Sequence, residues 1–354
     1  MAPRVLRTKS HGARLERIRA SRRFRDGVFQ NTARVKPGLK GSPLPLLGEF
    51  FFGDAQREPR RALPLIDPRP TWQRPADTGL RVTWLGHSTA LLELDGVTVL
   101  TDPVFGERAS PLGFAGPRRF HQTPVRFDEL PPLDVVLISH DHYDHLCLAT
   151  ARELAKSPAR IVTSLGVGAH LEAWGIDPSR ICELDWGDVA EVKGVRITAT
   201  PAQHFSGRRL RDRNTTSWAS FVLESARHRV FFSGDTGLTP EFRDIGARFG
   251  PFDLVMLEVG AFHEKWGDIH LGPHNALEAH AMLGSGMLLP IHWGTFNLAL
   301  HSWDDPAETL AALVQERGVQ MMTPRLGAAV EPVHVERVDP WWREVATSRA
   351  AKQP

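Results

Sequence analysis

"LISHDHYDHL", residues 137–146, decides how the rest of the chain is read. Three histidines and two aspartates, His140, Asp141, His142, Asp144 and His145, fall within six positions, directly after the apolar run "LDVVLIS" (133–139). A short continuous apolar run is the mark of a buried strand, and a polar cluster at its end lies on a loop, where scaffolds present functional groups. Imidazole nitrogen and carboxylate oxygen suit zinc, at roughly 2.0–2.2 Å. His140 and His142, spaced i, i+2, can point the same way in an extended turn and grip one ion. Asp144 and His145 follow closely enough to hold a second.

Further polar residues recur at the ends of other apolar runs. His204 follows "RITATPAQ", Asp235 follows "RVFFSG" and His292 follows "GMLLPI". One histidine after a strand is usually a hydrogen-bonded bystander; four strands each delivering a His or Asp is a pattern. The two oxygens of Asp235 can bridge two ions, and His204 and His292 then complete the two shells. Seven protein ligands leave a position open, which separates a catalytic site from a closed structural one.

Order is expected to begin near Leu80. "RVTWLGHSTALLELDGVTVLTDPVF" (81–105) predicts two β-rich runs joined by a hairpin at "LDGV". Strands are also expected at "RIVTS" (160–164), "GVRITATPAQH" (194–204), "WASFVLES" (218–225), "HRVFFSGD" (228–235), "FDLVMLEV" (252–259) and "GMLLPIHW" (286–293). Helical periodicity marks 147–157, 166–175, 273–284 and 304–318, the last with Asp304 or Asp305 as a cap and Pro306 near the first turn. The expected organisation is a basic, Pro/Gly-rich extension (1–78), one catalytic domain (79–335) and a C-terminal tail (336–354).

Composition bounds the rest. The 354 residues are 42% hydrophobic and 24% charged, with a net charge of +2, so the balance as a whole predicts no polyanionic partner. From Arg4 to Arg25 there are nine Lys or Arg and one acid, Glu16, which predicts a solvated or disordered arm, with a peripheral membrane-surface or a nucleic-acid contact as the alternative. The stretch Leu44–Phe52 suggests an apolar patch that packs on the domain or forms a lipid-facing lip. Two cysteines and no apolar run of 18 residues fit a cytoplasmic protein.

The six blocks "WLGHST" (84–89), "LTDPVF" (100–105), "ISHDHYDHL" (138–146), "PAQHFSGR" (201–208), "SGDTG" (233–237) and "IHWGTF" (291–296) together resemble the metallo-β-lactamase superfamily, in its N-acylphosphatidylethanolamine-hydrolysing phospholipase D-like branch. The resemblance covers about residues 40–305. It implies an α/β, four-layer αββα sandwich with an N-terminal extension and two zinc ions. One would be held by His140, His142 and His204, the other by Asp144, His145 and His292, with Asp235 bridging. It also places His270 in the cleft, so that Asp144 and His270 are the catalytic candidates, and it suggests that His87 and Asp102 orient ligands through hydrogen bonds. The activity implied is a zinc-dependent phosphodiesterase of phospholipase D type acting on a lipid or small phosphodiester. A lactonase or other ester hydrolase uses the same ligands and stays open as the alternative, as does, with less support, a nuclease; no nucleic acid is expected as partner.

Overall fold

A computed structural model describes residues 10–33, 48–49, 53–209, 211–263 and 265–346. Of the patch Leu44–Phe52, only residues 48 and 49 fall within these. Two sheets carry the fold. The first joins, in spatial order, Ala329–Val330, Leu80–Gly86, Thr89–Leu94, Val97–Thr101, Val135–Ile138, Arg160–Ser164 and Ile181–Leu184. The second joins Met287–Ile291, Leu254–Glu258, Arg229–Phe232, Ser220–Glu224, Val195–Thr200 and Val189–Val192.

Alternation along the strands builds the layers. Leu80, Val82, Trp84, Leu92, Val99, Val135 and Leu137 pack from the first sheet onto the second, in one core with Phe221, Val230 and Met256. The same core continues through the second sheet to helix residues Phe242, Ile245, Leu277 and Leu310. The opposite face of the first sheet, with Leu91, Leu100, Val136, Ile138 and Ile161, packs on Ala151, Leu154 and Leu171 of the helices Leu148–Leu154 and Gly168–Ala173. Helix, sheet, sheet, helix is the expected four-layer order.

Local chemistry explains most element boundaries. Asp95 and Gly96, with φ of 49° and 84°, form the two-residue turn between Leu94 and Val97, as expected for a type I′ hairpin. The first expected β-rich run is in fact two strands, because Gly86 (φ 110°) and His87 (φ 53°) turn the chain back on itself. Helix Asp305–Arg317 starts with Pro306 in its first turn and ends at Gly318 in the left-handed region; Asp304 holds the N-cap position without a side-chain bond to the first turn. Strands Ile181–Leu184 and Val189–Val192 and helix Glu241–Phe249 lie outside the expected elements. Val189–Val192 is an edge strand with alternately exposed residues and little apolar signal.

The described residues nearest each end depart from expectation. From residue 10 onward the basic segment is docked rather than a solvated arm: Gly12–Ala20 is a helix, and Ile18 and Phe29 are buried with Leu165, Ala202 and Trp218. Its arginines find acids far along the chain. Arg14 pairs with Glu172 (2.5 Å) and Glu183 (2.7 Å), and Arg23 pairs with Asp185 (3.0 Å) while stacking 3.5 Å above the Trp186 ring. Burial pulls the Arg23 guanidinium down to about 10, against Asp185. Residues 336–346 are not a tail either. Trp341 and Trp342 are fully buried, Trp341 stacking on Trp293, so the packing crosses the expected boundary at 335.

Candidate metal centre

Every ligand candidate leaves the end of a strand on the same edge of the sandwich. His140 to His145 follow Val135–Ile138, His204 follows Val195–Thr200, Asp235 follows Arg229–Phe232 and His292 follows Met287–Ile291. The first four come from one sheet and the last three from the other. His140 Nε2 lies 2.8 Å from His142 Nδ1, which is 3.2 Å from His204 Nε2. Asp235 Oδ2 faces this group, 3.8 Å from His140 Nε2 and 3.6 Å from His204 Nε2. The other oxygen, Oδ1, lies 3.1 Å from His145 Nε2 and 3.2 Å from His292 Nε2. Asp144 Oδ2 completes this second group, 3.4 Å from His292 Nε2 and 3.5 Å from His145 Nε2. Ligand atoms placed tetrahedrally at zinc bond lengths stand roughly 3.3 Å apart, which is the middle of these separations.

The donor set fits a cation on a second ground. His145 Nε2, His292 Nε2 and Asp235 Oδ1 are buried and no hydrogen bond satisfies them, since their short approaches to one another are not aligned. An orphaned buried polar atom costs about 1–3 kcal/mol, and three aimed at one point are relieved together by one positive ion. His145, His292 and Asp144 with Asp235 Oδ1, and His140, His142 and His204 with Asp235 Oδ2, are thus suited to metal.

The groups behind the ligands fix which nitrogen faces inward. Asp102 is fully buried; its Oδ2 accepts from His145 Nδ1 (2.6 Å) and Ser139 Oγ (2.6 Å), and its Oδ1 from the Ser139 N–H (2.7 Å). With its proton given to Asp102, Ser139 Oγ accepts from His140 Nδ1 at 2.9 Å. His204 Nδ1 donates to the Ile269 carbonyl at 2.8 Å. Each outer bond fixes the ring so that the inward nitrogen is the one presented to a cation. His87 Nε2 lies 3.1 Å from Asp144 Oδ2, and burial, with His292 beside it, pulls His87 down to about 3, so it is neutral. His87, Asp102 and His292 all have positive φ (53°, 30° and 66°), backbone strain of the kind that persists where the surroundings over-determine a site. Gly234 (φ 54°) lets the Asp235 loop pass Ser139, whose Cβ would stand 2.6 Å from an added Cβ.

Charge is unevenly shared. Burial lowers His145 and His292, but the carboxylates of Asp235 and Asp144 outweigh it: His145 is held well above the ordinary range and His292 is pushed up to about 10. Burial holds His140 and His204 well below it, helped by neighbouring imidazoles. Burial raises Asp144 and Asp235, yet His145 above all draws both well below the usual carboxylate range.

His270 also reaches the centre. Its ring lies 5.1 Å from that of His204 and 5.3 Å from that of His292, and its Nδ1 stands 3.3 Å from Glu258 Oε1. Glu258, fully buried at a strand end, also accepts from the Leu271 N–H at 2.6 Å. Sequence reasoning missed it; an acid closing the apolar run "FDLVMLEV" was the available signal. It also missed Asp141, whose carboxylate takes the Gly207 N–H (2.8 Å) and the Thr216 hydroxyl (2.9 Å), and Arg208, which binds the carbonyls of Asp141 (2.5 Å) and Leu146 (2.9 Å) over the Tyr143 ring. Both stiffen the ligand loop from behind. Above the centre opens a cleft of about 400 Å³, walled by Phe205, Ala261, Trp266, Ile269 and Leu298, with Arg213 its one lysine or arginine among the described residues.

The β-lactamase superfamily domain matches residues 97–293, more than half of the chain. The chain belongs to the metallo-β-lactamase superfamily. Within it, the chain falls in the N-acylphosphatidylethanolamine-hydrolysing phospholipase D-like branch: it is 36% identical over 257 residues to N-acyl-phosphatidylethanolamine-hydrolyzing phospholipase D 1 of Caenorhabditis elegans, covering 68% of this chain and 72% of that one. An uncharacterized protein of Mycobacterium tuberculosis is 45% identical over 342 residues, covering 94% of this chain and 91% of its own. Among solved structures, isothiocyanate hydrolase from Delia radicum gut bacteria superposes with a TM-score of 0.57 at 22% identity, over 71% of this chain and 98% of that one, which shows the shared fold. This superfamily member is accordingly a metal-dependent hydrolase with His and Asp clusters suited to metal.

Proposed function

We propose that this hydrolase holds two zinc ions and cleaves phosphodiesters in the manner of a phospholipase D, with N-acylphosphatidylethanolamine-like lipids as substrates. The observation that carries the reading is Asp235, whose two oxygens face two separate ligand groups at the floor of an apolar cleft. The likeness to the nematode phospholipase D supports the substrate class. Zinc at these positions supplies Lewis-acid charge that polarises a phosphoryl group and makes water nucleophilic near neutral pH.

The chain's own residues do the rest. His140, His142 and His204 form one holding group; Asp144, His145 and His292 form the other; Asp102 and His87 keep their ligands turned inward. Arg213 offers the cleft a cation for the phosphate's negative charge. His270, beside Glu258 and open to the cleft, is placed to hand a proton to the departing alcohol oxygen. Phe205, Trp266, Ile269 and Leu298 take the apolar part of the substrate and exclude water. The products are a phosphatidate and an N-acylethanolamine.

No helix among the described residues is long and apolar enough to cross a membrane. We assign any peripheral contact with lipid to the exposed Arg19, Arg22 and Arg25, since Arg14, Arg17 and Arg23 are engaged within the chain. Nucleic acid is not part of the proposal. The test is hydrolysis of N-acylphosphatidylethanolamine in mixed micelles, of a soluble aryl phosphodiester and of a lactone. Cleavage of both phosphodiesters is expected. Cleavage of the lactone alone replaces the reading with a lactonase.

A further inference from the structure

We infer that Asn31, delivered by the docked N-terminal segment, is a positioning residue for the ligand His204. The Asn31 side-chain amide makes two bonds to one backbone unit: Nδ2 donates to the His204 carbonyl at 2.8 Å, and Oδ1 accepts from the His204 N–H at 3.0 Å. Oδ1 also accepts from Trp218 Nε1 at 3.1 Å. His204 lies four residues beyond Thr200, the last paired position of its strand, where the sheet no longer satisfies its backbone groups. Asn31 supplies from outside the donor and the acceptor that a neighbouring strand would have given.

The consequence is rotational. His204 is buried, and its ring is tied at Nδ1 to the Ile269 carbonyl. With N–H, carbonyl and Nδ1 all fixed, Nε2 has little freedom left except to face His142 Nδ1 and Asp235 Oδ2. An outer partner that fixes a ligand in this way is worth about 10–100-fold in metal affinity. Asparagine alone fits: aspartate lacks the donor, and glutamine adds a methylene that displaces the amide.

Asn31 is itself held from several directions. The Phe29 N–H donates to the Asn214 carbonyl at 2.7 Å, and the Phe29 side chain is fully buried. Upstream, Arg14 and Arg23 anchor the segment to Glu172, Glu183 and Asp185. A segment that the sequence marks as a basic arm thus reaches the backbone of a metal ligand. None of its described residues enters either large sheet, so its hold on His204 lies outside the strand pairing of the sandwich.

The inference rests on the reading that His140, His142 and His204 hold a metal ion. The test compares full-length wild type, Asn31→Ala and Asn31→Asp, each loaded with zinc and titrated with a chromophoric chelator, then with cobalt in place of zinc for its absorption spectrum. Wild type should release two ions in distinguishable steps. Asn31→Ala should release the first about 10–100-fold more readily, leave the second within about threefold, and alter only part of the cobalt spectrum. Its kcat should fall with KM nearly unchanged, and melting of the metal-free form should match wild type. Asn31→Asp, nearly isosteric, should fold and show a smaller shift of the same step. Equal displacement of both ions, or a lowered melting temperature of the metal-free form that accounts for the loss, makes Asn31 merely structural and overturns the inference. Wild-type release profiles in both variants overturn it as well. A wild-type chain that binds no metal removes the reading of the site and this inference with it.

Discussion

Behind His140 and His204 stand neutral groups, the Ser139 hydroxyl at 2.9 Å and the Ile269 carbonyl at 2.8 Å; behind His145 stands the carboxylate of Asp102 at 2.6 Å. The group on the His145 side also contains Asp144, which together with the shared Asp235 drives His145 and His292 up, while His140 and His204 are driven down by burial. One half of the centre is therefore built from charge and the other from orientation. An orientation-built site depends on whatever immobilises its ligands. That explains why its outer supports, Ser139, Ile269 and Asn31, come from three distant parts of the chain.

The comparison can be broken most severely at the residue both halves share. Asp235→Asn removes the charge that faces both groups. Turnover of an aryl phosphodiester is expected to fall by more than about a hundredfold, beyond the cost of losing an outer partner, with circular dichroism unchanged. A tenth or more of wild-type kcat would show that the two halves do not depend on Asp235. Asp102→Asn tests the charged half: affinity for the more tightly held ion should drop about 10–100-fold, read by chelator competition, with the other ion affected several-fold less through Ser139. An equal loss at both ions would mean that Asp102 does not distinguish the halves. In the unaltered protein, chelator should remove the ion of the His140, His142 and His204 group first, with dissociation constants about tenfold apart, because fewer negative ligands hold it. Reversed order, assigned by repeating the titration on His145→Ala, would invert the comparison. The smallest effect is expected from Arg17→Ala. Its pair with Asp188 (3.2 Å) has both side chains about half exposed, so the loss should be at most about 1 kcal/mol. Metal release should stay within about twofold of wild type, and a larger change would show that the docked segment is far more tightly coupled to the orientation-built half.

The clustering of the candidate ligand residues was legible because strand termination is a local event. An apolar run that stops at His, Asp or His145's cluster announces both the strand and the loop that follows, and the structure brings all seven candidates together with His87, Asp102 and His270. The two-residue turn at Asp95–Gly96 was legible for the same reason. Supports that act across the chain were not. Arg14 looks like one cation in a basic run because its partners, Glu172 and Glu183, lie 158 and 169 positions away. Asn31, in a stretch without periodicity, gives no sign that it meets His204, 173 positions on. Trp341 and Trp342 follow the last strong helical pattern, and only the stacking of Trp341 on Trp293 shows that they complete the core. Glu258 is hidden differently: its strand is entirely buried, and an acid at its end is the sole break in the apolar pattern.

The docked N-terminal segment imposes an order on synthesis. The chain leaves the ribosome from its N-terminus, at about 5–20 residues per second. Arg14 therefore waits roughly 8–35 s for the acids it will pair with, and Asn31 waits slightly longer for His204. Until residue 165 is made, the buried faces of Ile18 and Phe29 have none of their eventual neighbours Leu165, Ala202 and Trp218, and the set is complete only once Trp218 follows. Ile18 and Phe29 are thus made long before they can be placed, and nascent chains halted before Trp218 would expose them to proteases that the finished protein resists.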